Sequence, residues 1–265
     1  MPIWFNGKCS TDLGILVEHR PVRQIAQRRL ERIPVPGASR DIIQYQEDAW
    51  ENVPQPYDIA IVPALRRSKD LPLYARQVME WLHAPTDYVK LSDSYDPNMF
   101  RMAAYTATGE KIENMLAKFG RATITFDCDG RWFYQDGDVW QAVDLAESLT
   151  LSNPTPYKAL PLISITATGS VGLVVNNYVN GTLKHHTGYI LNIGTRSKTV
   201  RIDSEKKGDA KYSDGTNANG IVVVSGDPYP KLYPDGVNTI GIFDNGGELT
   251  GTVTSLSIKP RWFTV

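Results

Sequence analysis

Apolar and polar residues alternate with period two along much of the chain. Ile124, Phe126 and Cys128 fall on one side of a stretch whose other side carries Thr123, Thr125 and Asp127, the pattern of a half-buried strand. Tyr189, Leu191 and Ile193 repeat it, as do Val200 with Ile202 and Leu256 with Ile258. Residues 221–224 form a continuous β-branched run, which predicts a strand covered on both faces. Turn pairs punctuate these stretches: Asp136-Gly137, Asn180-Gly181, Asp214-Gly215, Asp235-Gly236 and Asn245-Gly246-Gly247. Asn-Gly and Asp-Gly accept the positive φ that tight hairpins demand. Short strands at this spacing predict sandwiches or barrels.

One segment keeps a different period. Tyr74, Ala75, Val78, Trp81 and Leu82 recur at helical spacing behind Asp70 as N-cap and Pro72 in the first turn, and Pro85 blocks extension. A helix over 71–83, packed on an N-terminal sheet, follows. Ile112, Met115, Leu116 and Phe119 have the same spacing over a shorter stretch, which fits a second helix or an irregular connection. Between residues 135 and 155 lie a turn and the run Ser152-Asn153-Pro154-Thr155-Pro156, whose prolines force extended backbone. The chain therefore divides into residues 1–140, mixed α+β and barrel-like, and residues 141–265, an all-β sandwich. The fold class is mainly β.

Composition narrows the roles available. At 265 residues the chain is long enough for two ordinary domains, and 42% hydrophobic with 22% charged residues is globular composition. The 28 basic and 29 acidic residues leave a net charge of -1, without the basic excess that gripping phosphates requires, so no specific nucleic-acid binding is expected. No apolar run approaches the roughly 18 residues of a membrane span, and the opening Met1-Pro2-Ile3-Trp4-Phe5 lacks a signal-peptide pattern. Cys9 and Cys128 read as free thiols in a reducing cytoplasm.

Chemistry is sparse. Asp127 and Asp129 would share a strand face, as a carboxylate pair must, but Asp129-Gly130 is also a turn and nothing nearby completes a reaction set. His185 and His186 would face opposite sides of a strand and cannot converge on one ion; a surface loop accounts for them better. No phosphate loop, dinucleotide fingerprint, nucleophile elbow or zinc-protease motif occurs. No catalytic residue, cofactor or metal is expected. Arg20, Arg23, Arg28, Arg29 and Arg32 are interleaved with Glu18 and Glu31 and alternate with Val22, Ile25 and Leu30, which fits a salt-bridged subunit interface better than a phosphate groove. Within 31–62, Ile42, Ile43, Tyr45, Trp50, Val53 and Tyr57 are bracketed by prolines, predicting an apolar arm exposed on a monomer. Its interface residues are Arg28, Arg29, Ile42, Ile43, Tyr45, Trp50 and Tyr57.

Four stretches together resemble one family. The first is Leu16-Val17-Glu18 through Arg20-Pro21 to Ile33-Pro34-Val35-Pro36-Gly37-Ala38-Ser39-Arg40-Asp41, and the second is Trp81-Leu82 with Lys90-Leu91-Ser92-Asp93 and Tyr95-Asp96-Pro97-Asn98-Met99-Phe100-Arg101. The third is Gly120-Arg121-Ala122-Thr123-Ile124-Thr125-Phe126-Asp127-Cys128. The fourth runs from Asn153-Pro154-Thr155 and Pro161-Leu162-Ile163-Ser164-Ile165 through Val200-Arg201-Ile202-Asp203 and Tyr229-Pro230-Lys231-Leu232 to Ile258-Lys259-Pro260-Arg261-Trp262. In order and spacing they resemble the siphophage distal tail proteins over nearly the whole chain. One departure is that Asp129-Gly130 stands where that family usually has a proline soon after the cysteine.

The resemblance implies a homo-hexameric ring at the tail tip, assembled in the host cytoplasm. One face of the ring would meet the tail-tube protein, and the other the tail-associated lysin or baseplate hub protein. It also implies a ring-building first domain with a projecting hairpin, here 31–62, and a galectin-like or carbohydrate-module-like second domain. In some members the final strand returns to the first domain, an expectation that extends to the last residues here. The competing reading is a module docking host-wall carbohydrate through Tyr178, Tyr189, Tyr212 and Tyr229, with Tyr233 and Trp262 as further aromatics.

Overall fold

The computed structural model describes residues 1–37, 39–62, 70–106, 110–243 and 249–265. The Asn245-Gly246-Gly247 turn signal and Ala38 of the first family-like stretch lie outside the described residues. Backbone contacts divide the chain into two compact units, Met1–Trp132 with Val265, and Phe133–Thr264. The division thus falls at Trp132 rather than near residue 140, and the Pro-rich 152–156 segment lies inside the second unit.

In the first unit the strands in chain order are β1 (Ile3–Phe5), β2 (Lys8–Cys9), β3 (Ile15–Val17), β4 (Arg28–Ile33), β5 (Ile42–Trp50), β6 (Val53–Ile61), β7 (Val89–Asp93), β8 (Met99–Ala104) and β9 (Arg121–Cys128). Seven of them form an antiparallel sheet in the order β2-β1-β7-β8-β9-β6-β3. Alternation explains the inward face: Val53, Gln55, Tyr57, Ile59 and Ile61 of β6 are buried, and so are Ala122, Ile124, Phe126 and Cys128 of β9. Pro54 and Pro56 sit mid-strand, where a missing N–H normally breaks a ladder. They are tolerated because β6 pairs with β3 only at Ile59–Ile61, leaving its proline half with β9 as its partner.

Helix α1 (Leu71–His83) begins where predicted, with the Asp70 carboxylate accepting from the Leu73 N–H at 3.3 Å. It buries Tyr74, Ala75, Val78, Met79, Trp81 and Leu82, and Trp81 Nε1 donates to the Phe5 carbonyl at 3.1 Å. The second apolar stretch is helix α2 (Glu110–Phe119). It buries Leu116, but leaves Met115 and Phe119 exposed.

Among its described residues the second unit has strands and short 3-10 turns but no α-helix. Strand β10 (Trp132–Tyr134) begins on the last residue before the division, and the strands that follow are β11 (Gln141–Val143), β12 (Leu149–Leu151), β13 (Leu162–Val179), β14 (Thr182–Asp203), β15 (Asp209–Tyr212), β16 (Val222–Gly226), β17 (Val237–Phe243), β18 (Thr252–Lys259) and β19 (Phe263–Thr264). Two long strands, β13 and β14, form the frame. Asn180 and Gly181 join them with φ of 50° and 75°, the tight turn their sequence predicts. The first half of β13 pairs with β18 and its second half with β17. Between the halves, Gly169 takes φ 70°, and a Cβ there would lie 2.6 Å from Gly251 Cα, so only glycine permits the bend. On β14 the buried positions, Gly188 aside, are odd through Ile193 and even from Val200, the parity change left by the irregular pairing around Gly194. A single core gathers residues from both halves, including Ile163, Leu173, Leu191, Ile202, Ile240 and Ile258.

The 221–224 run is not a strand covered on both faces. Ile221 ends a short 3-10 turn, and β16 pairs with β14 alone, leaving Val223 and Val224 exposed. β-branched residues there serve strand geometry rather than a core.

Candidate assembly and binding surfaces

The arm is β4 paired with β5 as a separate two-stranded sheet. Arg32 stands opposite Ile43 and Leu30 opposite Tyr45, so one face carries Leu30, Ile43 and Tyr45; Ile33 opposite Ile42 supplies apolar surface on the other. Ile42, Ile43 and Tyr45 are 56%, 49% and 57% exposed. Val22 and Ile25, on the segment leading into the arm, are exposed too. An isolated two-stranded hairpin is marginal in water, and this one carries exposed apolar side chains on both faces. Arg28 stacks over the Trp50 ring at 5.1 Å at the arm's root, and Arg29 is exposed.

Tyr57 does not belong to the arm. It lies in β6, 2% exposed, donating to Asp93 Oδ2 at 3.0 Å, because the chain enters the main sheet at Val53. The hairpin therefore spans 28–50 rather than 31–62.

The root is fixed by a buried arginine. Arg101, 1% exposed, donates to the Gln24 carbonyl at 2.8 Å and stacks on Trp132 at 4.1 Å. Arg23 covers Trp132 at 4.7 Å and bridges to Asp96 at 2.8 Å. A Cβ on Gly130 would lie 2.4 Å from Ala26 Cβ and 2.5 Å from the Glu51 carbonyl, so the strands at the root close directly over Gly130. Burial lowers the Arg101 guanidinium to about 10 and pushes the Cys128 thiol up to about 12. The arginine is still a cation at neutral pH.

The aspartates considered for catalysis are occupied structurally. Asp129 holds Arg131 through Oδ1 at 3.0 Å and Oδ2 at 2.5 Å. Asp127 accepts from Tyr88 and from Asn52, and burial with this contact raises the Tyr88 hydroxyl to about 12. Among the described residues no group of three His, Cys, Asp or Glu side chains could hold a metal. Cys9 and Cys128 are free thiols.

The sugar-candidate tyrosines of the second unit do not converge. Tyr189 is a core residue, 1% exposed, its hydroxyl directed at the Pro228 carbonyl, and presents no face to a ligand. Tyr212 lies by the charged cavity lined by Arg201, Asp203, Lys206, Asp209 and Lys211. Tyr229 sits under the Lys231 ammonium, and Trp262 is buried in the core. Tyr233 stacks on His185 with ring centroids 3.7 Å apart.

Tyr178 alone stands on the outward face of β13, where its hydroxyl accepts from Asn176 Nδ2 at 3.3 Å and Asn176 Oδ1 meets His186 Nδ1 at 2.7 Å. His185 and His186 are in β14, not a loop, and face opposite sides as adjacent strand residues must. The role of His186 was hidden in the sequence, because its partner Asn176 is distant in the chain and only the β13–β14 register brings them together.

No protein-family profile matches this chain, and no curated protein sequence does. Two β-rich units, the first with two helices among its described residues, make a mainly-β fold that solved structures share. The crystal structure of SPP1 Dit (gp 19.1), a paradigm of the hub adsorption apparatus in phages infecting Gram-positive bacteria, shares it with a TM-score of 0.61 and 14% identity, over 100% of this chain and 99% of that one. The phage P2 baseplate in its activated conformation, with Ca and with Sr, matches with TM-scores of 0.47 and 10% identity, over 92% of this chain and 90% of that one.

Proposed function

We propose that the chain is a structural distal tail protein of a phage virion, not an enzyme. It forms a homo-hexameric ring at the tail tip that joins the tail-tube protein to the tail-associated lysin or baseplate hub protein. The observation that carries the reading is the arm: a two-stranded sheet with apolar side chains open on both faces, on a fold shared end to end with SPP1 Dit. A closed ring needs heterologous contacts, one patch meeting a different patch on the next copy, and a projecting arm supplies one of the two. Near-neutral charge suits a conduit that DNA must traverse without adhering.

Light scattering over a concentration series, with negative-stain images, tests it. The expected species is a six-subunit ring, and Ile43→Asp with Tyr45→Asp should leave monomers with an unchanged melting temperature. A wild-type chain that stays monomeric both alone and mixed with tail-tube and hub proteins would overturn the reading.

A further inference from the structure

We propose that the groove between helix α1 and the 3-10 turn Ser10–Leu13 is the seat for one face of the arm of a second copy of this chain. The inference rests on the ring reading and supplies the patch that reading leaves open. A heterologous contact requires the projecting patch and its receptor to lie on different parts of one surface. The arm leaves the first unit at a root built around Arg101 of β8 and Gly130. The groove belongs to other elements: β2, the 3-10 turn and α1.

Helical spacing makes one wall. Leu73, Gln77 and Glu80 stand four and three residues apart, so they form one stripe along α1, and all three are exposed. The core-facing residues Ala75, Val78 and Leu82 already satisfy the helix's packing, which leaves Leu73 in solvent, 44% exposed. Lys8, Asp12 and Leu13 line the groove from the β2 side, and the buried Tyr74 and Trp81 line it as well. The cavity holds about 380 Å³. From Leu73 to Glu80 it follows the helix for roughly 10 Å.

The arm carries a face of matching size and kind. Register places Leu30, Arg32, Ile43 and Tyr45 together on one side of the hairpin. Two residues along a strand by one inter-strand step give a patch of about 7 Å by 5 Å, which fits within the groove's length. Three apolar side chains there surround one guanidinium. The groove sets Leu13, Leu73 and two aromatic rings beside the carboxylates of Asp12 and Glu80. Two carboxylates against the single ammonium of Lys8 leave one negative charge in excess. Charge therefore selects the face. The reverse side of the hairpin presents Glu31 with Ile33, Ile42 and Gln44, and would set a third carboxylate against the two already there. Arg32 fixes the register through its planar fork, and burial of Leu30, Ile43 and Tyr45 supplies the affinity. The exposed Met115 and Phe119 of α2 are the competing seat.

Light scattering of full-length variants tests the seat in whichever setting the wild type assembles, alone or with the tail-tube and hub proteins. Leu73→Asp, Glu80→Arg and Arg32→Glu should each raise the concentration at half-assembly roughly tenfold or more. Melting temperatures of the dissociated chains should not change, because all three side chains are exposed. Arg32→Glu combined with Glu80→Arg should recover most of the loss, a rescue that a folding defect would not show. Phe119→Asp should assemble as the wild type does. Normal assembly of Leu73→Asp and Glu80→Arg would overturn the seat and leave the ring standing. So would a paired reversal no better than the single changes, or assembly lost in Phe119→Asp but kept in Leu73→Asp. A wild type that never assembles would overturn the seat and the ring together.

Discussion

At the scale of single residues, burial rather than charge pairing dominates the chemistry. Arg101 is held in the first unit by a carbonyl and an indole face, a use of its flat guanidinium that lysine could not reproduce. Cys128 and Tyr57 share the same core, and burial raises both acids above their ordinary values. The sign follows for stability. Above pH 9 the unfolded chain ionises Cys128, while the folded chain keeps its proton up to about 12. This group's contribution is therefore fully present below about pH 9 and lost as pH rises toward 12. Urea unfolding midpoints should fall over that window, and Cys128→Ala should flatten the fall. At pH 8, Ellman's reagent should modify the half-buried Cys9 and leave Cys128 unmodified until denaturant is added.

At the scale of elements, local signals and tertiary packing divide the work. Helix α1 owes its start to Asp70 and Pro72 and its stability to the apolar face laid on Phe5 and its neighbours. Removing the cap in Asp70→Ala should cost about 1 kcal/mol, read by urea denaturation, with no change in oligomer mass. The arm is the opposite case. Its strands have the residues to pair, but Ile42, Ile43 and Tyr45 stay exposed, so it lacks the buried apolar face that steadies α1. Strand β16 stands between these cases: its β-branched run suits pairing, yet Val223 and Val224 meet solvent because it is an edge strand that pairs with β14 alone.

At the scale of the molecule, each unit closes its own core, one built on Phe5, Tyr57, Trp81 and Phe126, the other on Tyr189, Leu191, Ile202 and Ile258. A chain of residues 133–264 should therefore fold by itself, giving dispersed amide resonances and one cooperative thermal transition. Failure of that fragment to unfold cooperatively would show that the second core depends on the first unit. The residues singled out as interface and sugar contacts scatter differently across these units. Ile42, Ile43 and Tyr45 sit together on the arm, whereas Tyr178, Tyr189, Tyr212 and Tyr229 occupy separate environments.

The sequence by itself determined the elements whose signals are local. The alternation of Ile124, Phe126 and Cys128, the Asn180-Gly181 turn and the Asp70-capped helix all depend on neighbours within a few residues, so they are legible before any fold is known. The tertiary structure decided the rest. Tyr57 is apolar enough for an arm or a core, and only the pairing of β6 with β9 places it in the core. His186 and Asn176 become partners only because a bulged strand pair holds a register across the hairpin. Residues brought together by register carry no mark of it in their own identity, because period two states which face a side chain takes and not which strand lies beside it.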